Sequence, residues 1–157
     1  MRVLIITGGT TSERPVSLTS AKEVKKGLEK TKHKAELFDL KKGYQALKRL
    51  LQEFDIFFPV LHGEGGEGGD LQEFLKKAKV KYVGGEPKGF KEGWFKISFK
   101  RFCDKNKITT SPWQVVKNLG EIKSFGFPAV LKSSNGGSSK EVVILKSAND
   151  LQKNSCQ

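Results

Sequence analysis

The sequence predicts an α/β fold: a parallel-sheet unit over residues 1–95, then a smaller and more antiparallel α+β lobe over residues 96–157. Three observations predict it. Short, apolar, β-branched runs alternate with segments of helical spacing through the first half. Two glycine-bearing stretches, Gly8-Gly9 and Leu61–Gln72 (LHGEGGEGGDLQ), each follow an apolar run and precede a helical pattern. Beyond residue 95 the rhythm gives way to a basic helix and three short apolar runs separated by turn residues.

Val3-Leu4-Ile5-Ile6 is apolar at every position, as a strand covered on both faces must be, and it stops at Gly8-Gly9. Val16, Leu18, Ala21, Val24 and Leu28 fall near helical spacing, which predicts an amphipathic helix beginning in Ser12–Leu18 and ending near Lys30. Ala35–Leu40 predicts a second strand, and Leu47, Leu50, Leu51 and Phe54 a second helix. Asp55–Leu61 is the third strand. Asp70 with Glu73 three residues on reads as an Asp form of the capping box, ahead of the stripe Leu71, Phe74, Leu75 and Ala78. Val80–Val83 would be a fourth strand. In the second lobe, Phe95, Phe99 and Phe102 share one face of a basic helix ending near Lys105. Strands are expected at Trp113–Val116, Phe127–Ser133 and Val142–Leu145, the last two joined by the hairpin KSSNGGSSKE. The closing segment, SANDLQKNSCQ, opens as a helix.

Composition narrows the function classes. Apolar residues make up 36% of 157, with 11 phenylalanines, enough to build a core and to exclude wholesale disorder. Lys and Arg outnumber Asp and Glu by 29 to 17, a net +12 that favours anionic partners. The lysines are dispersed (Lys25, Lys26, Lys41, Lys42, Lys76, Lys77), so they read as solvated helix faces and not as a nucleic-acid patch. Cys103 and Cys156 form no CxxC and have no histidine at metal-ligand spacing, so no metal site is expected within these residues. The apolar part of MRVLIITGGT is too short for a signal peptide, and no run reaches the roughly 20 residues that span a bilayer. A cytoplasmic protein without membrane or nucleic-acid partners is the expectation.

In an open α/β sheet, ligands bind outside the carboxyl ends of the strands, where both glycine stretches fall. Glycine lets backbone approach a neighbour with no Cβ in the way. Glu13 lies at the first turn of the first helix; it is either a carboxylate favoured by the helix dipole or an acceptor for a substrate ammonium. His62 sits at the same edge. Lys132 ends an apolar run shortly before Gly136-Gly137-Ser138-Ser139, whose main-chain N–H groups and hydroxyls can fold over phosphate oxygens, with the lysine as a point charge. Neither a GxGxxG fingerprint nor a Walker A loop is present.

The ordered set GGTTSERPVSL, FPVLHGEGGEGGDLQ, KYVGG, Lys96, SPW and FPAVLKSSNGGSS resembles D-alanine–D-alanine ligases of the ATP-grasp superfamily, over essentially the whole chain and only the amino-terminal portion of the family. The resemblance implies a Rossmann-like pre-ATP-grasp domain at 1–95 and an incomplete ATP-grasp central lobe at 96–157, with the carboxyl-terminal lobe absent. It implies an enzyme class that joins two D-alanines for peptidoglycan: ATP phosphorylates the carboxylate of the first, and the amine of the second attacks the acylphosphate. By matching position, Glu13 would hold the first ammonium, with Ser138 near it, and both are the implied catalytic residues. His62 and Gly63 would line the substrate pocket; Lys96, Lys132, Ser138 and Ser139 would contact ATP. Mg²⁺ would be held by ligands in the missing lobe, so the chain alone is expected not to turn over. Family members are commonly homodimers. The chain departs from the family pattern at Glu67-Gly68-Gly69, at Trp94 and Phe95 before Lys96, and at Gly136 and Lys140. The alternatives are a related ATP-grasp carboxylate–amine ligase with another substrate, and a non-catalytic binding remnant.

Overall fold

The computed structural model describes residues 1–138 and 141–154. The chain divides into two compact units, Met1–Trp94 and Phe95–Gln157. In the first, β1 (Arg2–Thr7), α1 (Arg14–Glu29), β2 (Lys34–Asp39), α2 (Tyr44–Arg49) and β3 (Ile56–Pro59) build a sheet in the order β2-β1-β3. Both pairings are parallel, with Val3 of β1 opposite Ala35 on one side and Ile56 on the other.

β1 is central and buried from both sides, which is why it is apolar from Val3 to Ile6. Its alternate side chains feed two cores. Val3 and Ile5 pack with Ala21, Val24 and Leu28 of α1. Leu4 and Ile6 pack on the other face with Leu47 of α2 and with Phe38, Phe57 and Leu61. Each such aliphatic side chain contributes roughly 1.5–3 kcal/mol by leaving water.

The glycine stretch after β3 is not an open loop. It forms a single helical turn, α3 (Glu64–Glu67), followed at once by α4 (Asp70–Lys77), whose Leu71 and Leu75 complete the second core. Asp70 is the first residue of α4 and not its cap: the cap position is Gly69, at φ +93, and offers no side chain. Two helices joined so tightly leave no extended residue from which an Asp could reach back. Glu73 instead pairs with Lys77 and Lys91, which hold its carboxyl down to about 2.

Other expectations are corrected. Val80–Val83 contributes one parallel bridge, Phe57 to Tyr82, and no strand, because Gly84-Gly85 follows directly. The second helix stops at Arg49 in a run of turns, although Phe54 still enters the core. A helix absent from the sequence reading, α5 (Pro87–Trp94), begins at a proline, whose fixed φ suits a first helical position.

The second unit contains α6 (Lys96–Lys105), α7 (Leu119–Phe125), the antiparallel pair β4 (Ala129–Lys132) and β5 (Val142–Leu145), and α8 (Asn149–Asn154). Its core joins Ile122, Leu145 and Leu151 with Leu131 and Val143. Trp113–Val116 is not a strand: side chains hold it, Trp113 Nε1 donating to Asp104 at 3.0 Å and Gln114 Nε2 to the Glu121 carbonyl at 2.9 Å. α7 was missed, although its Asn118 cap, accepting from the Glu121 N–H at 3.1 Å, has a sequence signature. On α6, Phe99 and Phe102 are exposed and Cys103 is the residue that is buried.

Candidate functional site

The order β2-β1-β3 places a topological switch between β1 and β3, because the chain leaves β1 toward one side and returns on the other. A crevice outside the carboxyl ends of two such strands is where open α/β sheets bind ligands. The two segments that leave those ends meet here. Thr11 Oγ1 donates to the His62 carbonyl at 3.2 Å, and the His62 N–H donates to Ser17 Oγ at 2.9 Å. A Cβ built on Gly63 would lie 2.8 Å from Glu13 Oε2, so the Glu13 carboxylate rests against the Gly63 backbone.

Glu13, His62 and Gly63 are thus brought together in the first unit. Glu13 is the N-cap residue of α1 but its side chain makes no cap hydrogen bond, which separates it from the plain capping role. Glu67 turns back on the bend: its Oε2 accepts the Gly63 N–H at 2.9 Å, and its Oε1 is 4.0 Å from His62 Nδ1. Ser20 Oγ lies 3.1 Å from His62 Nε2.

Behind this bend Arg14 and Asp39 form a bidentate pair, Nη1 to Oδ1 at 2.8 Å and Nη2 to Oδ2. Arg14 Nη1 also donates to the Gly9 carbonyl at 2.9 Å, and Asp39 Oδ1 accepts from the Gly9 N–H at 3.3 Å. Both polar groups of Gly9 are therefore clasped. The guanidinium hydrogen bonds hold the Asp39 carboxyl well below the usual carboxylate range, against the opposing effect of burial and with help from the Lys41 and Gly9 N–H groups. A depressed carboxyl stabilises the fold above its unfolded value, near 4, and that contribution is lost as pH falls toward its folded value. Urea midpoints should therefore decline from about pH 5 downward, and Asp39→Asn should flatten that part of the curve.

In the second unit, Lys96 opens α6 and its Nζ donates to the Gly136 carbonyl at 2.7 Å, tying it to the hairpin. Phe95 holds the N-cap position of α6 and supplies no acceptor. Lys132 is exposed on β4. Strand alternation and the register put it on one face with Val130, Val142 and Ile144, opposite the core face. Ser138 stands in the hairpin at φ +53. Ser139 and Lys140 lie outside the described residues. The sequence reading missed Thr11, Ser17, Ser20, Arg14 and Asp39. Only Asp39, a polar residue closing an apolar run at the ligand edge, carried a signal.

The two strand-end segments of the parallel sheet thus close on a carboxylate and a histidine–glycine bend, an α/β architecture with its polar cluster at the strand ends. Residues 44–85 match the family described as D-ala D-ala ligase N-terminus. A D-alanine–D-alanine ligase of Thermotoga petrophila is 34% identical over 152 residues, covering 97% of this chain and 50% of the relative. That of Oleidesulfovibrio alaskensis is 37% identical over 142 residues, covering 88% of this chain and 46% of the relative. The crystal structure of D-alanine–D-alanine ligase from Bacillus anthracis superposes with a TM-score of 0.84 at 28% identity, over 98% of this chain and 52% of that one. The same enzyme complexed with ATP gives 0.81 at 26% identity, over 98% and 53%. The chain spans about half the length of the curated relatives it matches. In sequence and in fold it corresponds to the amino-terminal portion of the D-alanine–D-alanine ligase family.

Proposed function

We propose that the chain forms the amino-acid side and the first phosphate-side lobe of an ATP-dependent, cytoplasmic D-alanine–D-alanine ligase of the ATP-grasp superfamily, serving peptidoglycan synthesis. The observation that carries this reading is the Glu13 carboxylate set against the His62–Gly63 bend at the sheet's switch point. A carboxylate there can hold an amino acid's ammonium, and the glycine leaves backbone room for the rest of a small substrate.

ATP, when bound, supplies the phosphoryl group that activates the amino-acid carboxylate. The residues here fit its anionic part: Lys132 on an exposed face beside Val130, Val142 and Ile144, and Lys96 held against the hairpin that carries Ser138. Lysine ammonium groups in those places stabilise transferring phosphate charge electrostatically. Mg²⁺ does not fit in the same way. Among the described residues no group of three or more His, Cys, Asp or Glu side chains could hold a metal ion.

Calorimetry tests the division of labour. Glu13→Gln is expected to weaken D-alanine about tenfold, the cost of one charge-assisted contact, and to leave ATP unchanged. Lys132→Ala is expected to weaken ATP by a similar factor and to leave D-alanine unchanged. Wild-type chain that gives no heat with either ligand, or variants that do not separate them, would defeat the assignment.

A further inference from the structure

Three of the four polar groups of His62 are engaged by hydroxyls from the segment that runs from the end of β1 to the middle of α1; the fourth, ring Nδ1, faces Glu67. Ser17 takes its N–H at 2.9 Å, Thr11 serves its carbonyl at 3.2 Å, and Ser20 lies 3.1 Å from ring Nε2. Ser17 does more. Its hydroxyl donates to the Glu13 carbonyl at 3.2 Å, and its own carbonyl accepts the Thr7 hydroxyl at 2.8 Å. One hydroxyl thus joins the backbone of Glu13 to the backbone of His62.

The position of that hydroxyl is costly unless it is used. Ser17 is 0% exposed, and Thr7 is 1% exposed. Alanine is the better helix former and buries no polar atom, so a serine at a core-facing helical position stabilises nothing by itself. Its two partners are both backbone groups of residues at the candidate site. Gly63, next in sequence to the held His62, is the residue whose backbone meets the Glu13 carboxylate.

We infer that Ser17 is a positioning residue for the amino-acid pocket: it sets the separation between Glu13 and the His62–Gly63 bend, while Thr11 and Ser20 fix the remaining freedom of His62. The inference deepens, and rests on, the reading of that pocket as the holder of the substrate ammonium.

Amide exchange and ¹⁵N chemical shifts of the whole chain test it. In Ser17→Ala the His62 amide should exchange about tenfold faster, the His62 and Gly63 signals should move, and D-alanine should bind about tenfold more weakly. Thr19→Ala is the control: Thr19 is on the same helix and its hydroxyl serves the Pro15 carbonyl at 3.0 Å. It should change none of these. Should Ser17→Ala fail to fold, Ser20→Ala, at a half-buried position, is read through the His62 ring nitrogens, whose shifts should move. Unchanged His62 exchange in Ser17→Ala, unmoved ring nitrogens in Ser20→Ala, or equal effects from Thr19→Ala would overturn the inference. If the His62 signals respond as expected while wild type binds no D-alanine, the hydroxyl clamp stands and the amino-acid reading of the pocket is lost.

Discussion

Gly66→Ala is expected to destabilise the first unit by about 3 kcal/mol, the upper end of what overpacking a close-packed site costs. A Cβ at this position would lie 2.4 Å from the Leu61 Cβ, 2.5 Å from the Leu61 carbonyl oxygen and 2.7 Å from its carbon. Two of those atoms are backbone, so no flexible side-chain tip can move aside. Leu61 belongs to the core between the sheet and α4, and the Gly66 carbonyl accepts the buried Gln72 amide at 2.7 Å. Displacing either neighbour therefore spreads into the packing. A urea titration followed by far-UV circular dichroism should show the loss. Gly27→Ala supplies the control, because nothing lies within 4 Å of a Cβ there and the residue is inside α1. It should be neutral or stabilising by roughly 0.5–1 kcal/mol. Equal midpoints for Gly66→Ala and wild type would refute the account of the glycine stretch as a closely packed turn.

Gly8→Ala is the second large effect, about 2–4 kcal/mol, and it acts through charge as well as volume. Gly8 has φ +75, where an L side chain is strained, and its Cβ would fall 2.2 Å from Asp39 Oδ1 and 2.8 Å from Arg14 Nη1. Asp39 would have to swing away, leaving Arg14 and the Gly9 N–H without their partner. The Arg14–Asp39 pair is partly exposed, so water recovers some of that loss. A double-mutant cycle separates the two contributions. Removing the obstructing carboxylate with Asp39→Ala should make Gly8→Ala cheaper than it is alone, a non-additivity of 1 kcal/mol or more. Strict additivity would show that the glycine is needed for its φ and not for the clasp.

The glycines show what a sequence can and cannot disclose. The parallel strands were legible because a strand covered on both faces must be apolar at every position, as Val3–Ile6 is. α1 was legible from its stripe. α3 and α7 were not: EGGE has no stripe at all, and LGEIKSF has too short a one. α7 was signalled by its Asn118 cap and α5 by its opening proline, which hydrophobic periodicity does not register. The glycine stretch read as a segment free to wrap a ligand, yet Gly66 and Gly69 wrap the chain's own Leu61, Pro87 and Lys91. At the candidate site the same division holds. Glu13 and His62 stood out because they follow strands. Ser17 did not, since a serine on a helix looks neutral until its partner, 45 residues away, is known. Arg14 and Asp39 are 25 residues apart, and no periodicity links them.

The central place of β1 has a consequence for biosynthesis. β1 is translated before both its neighbours and acquires them only when residues 34–39 and 56–59 have been made. At ordinary elongation rates of about 5–20 residues per second, the newborn Val3–Ile6 segment stays uncovered for roughly 3–10 s. During that interval its sticky edges are open to any passing strand, and chaperone capture at the ribosome would act on β1 before the rest of the sheet arrives.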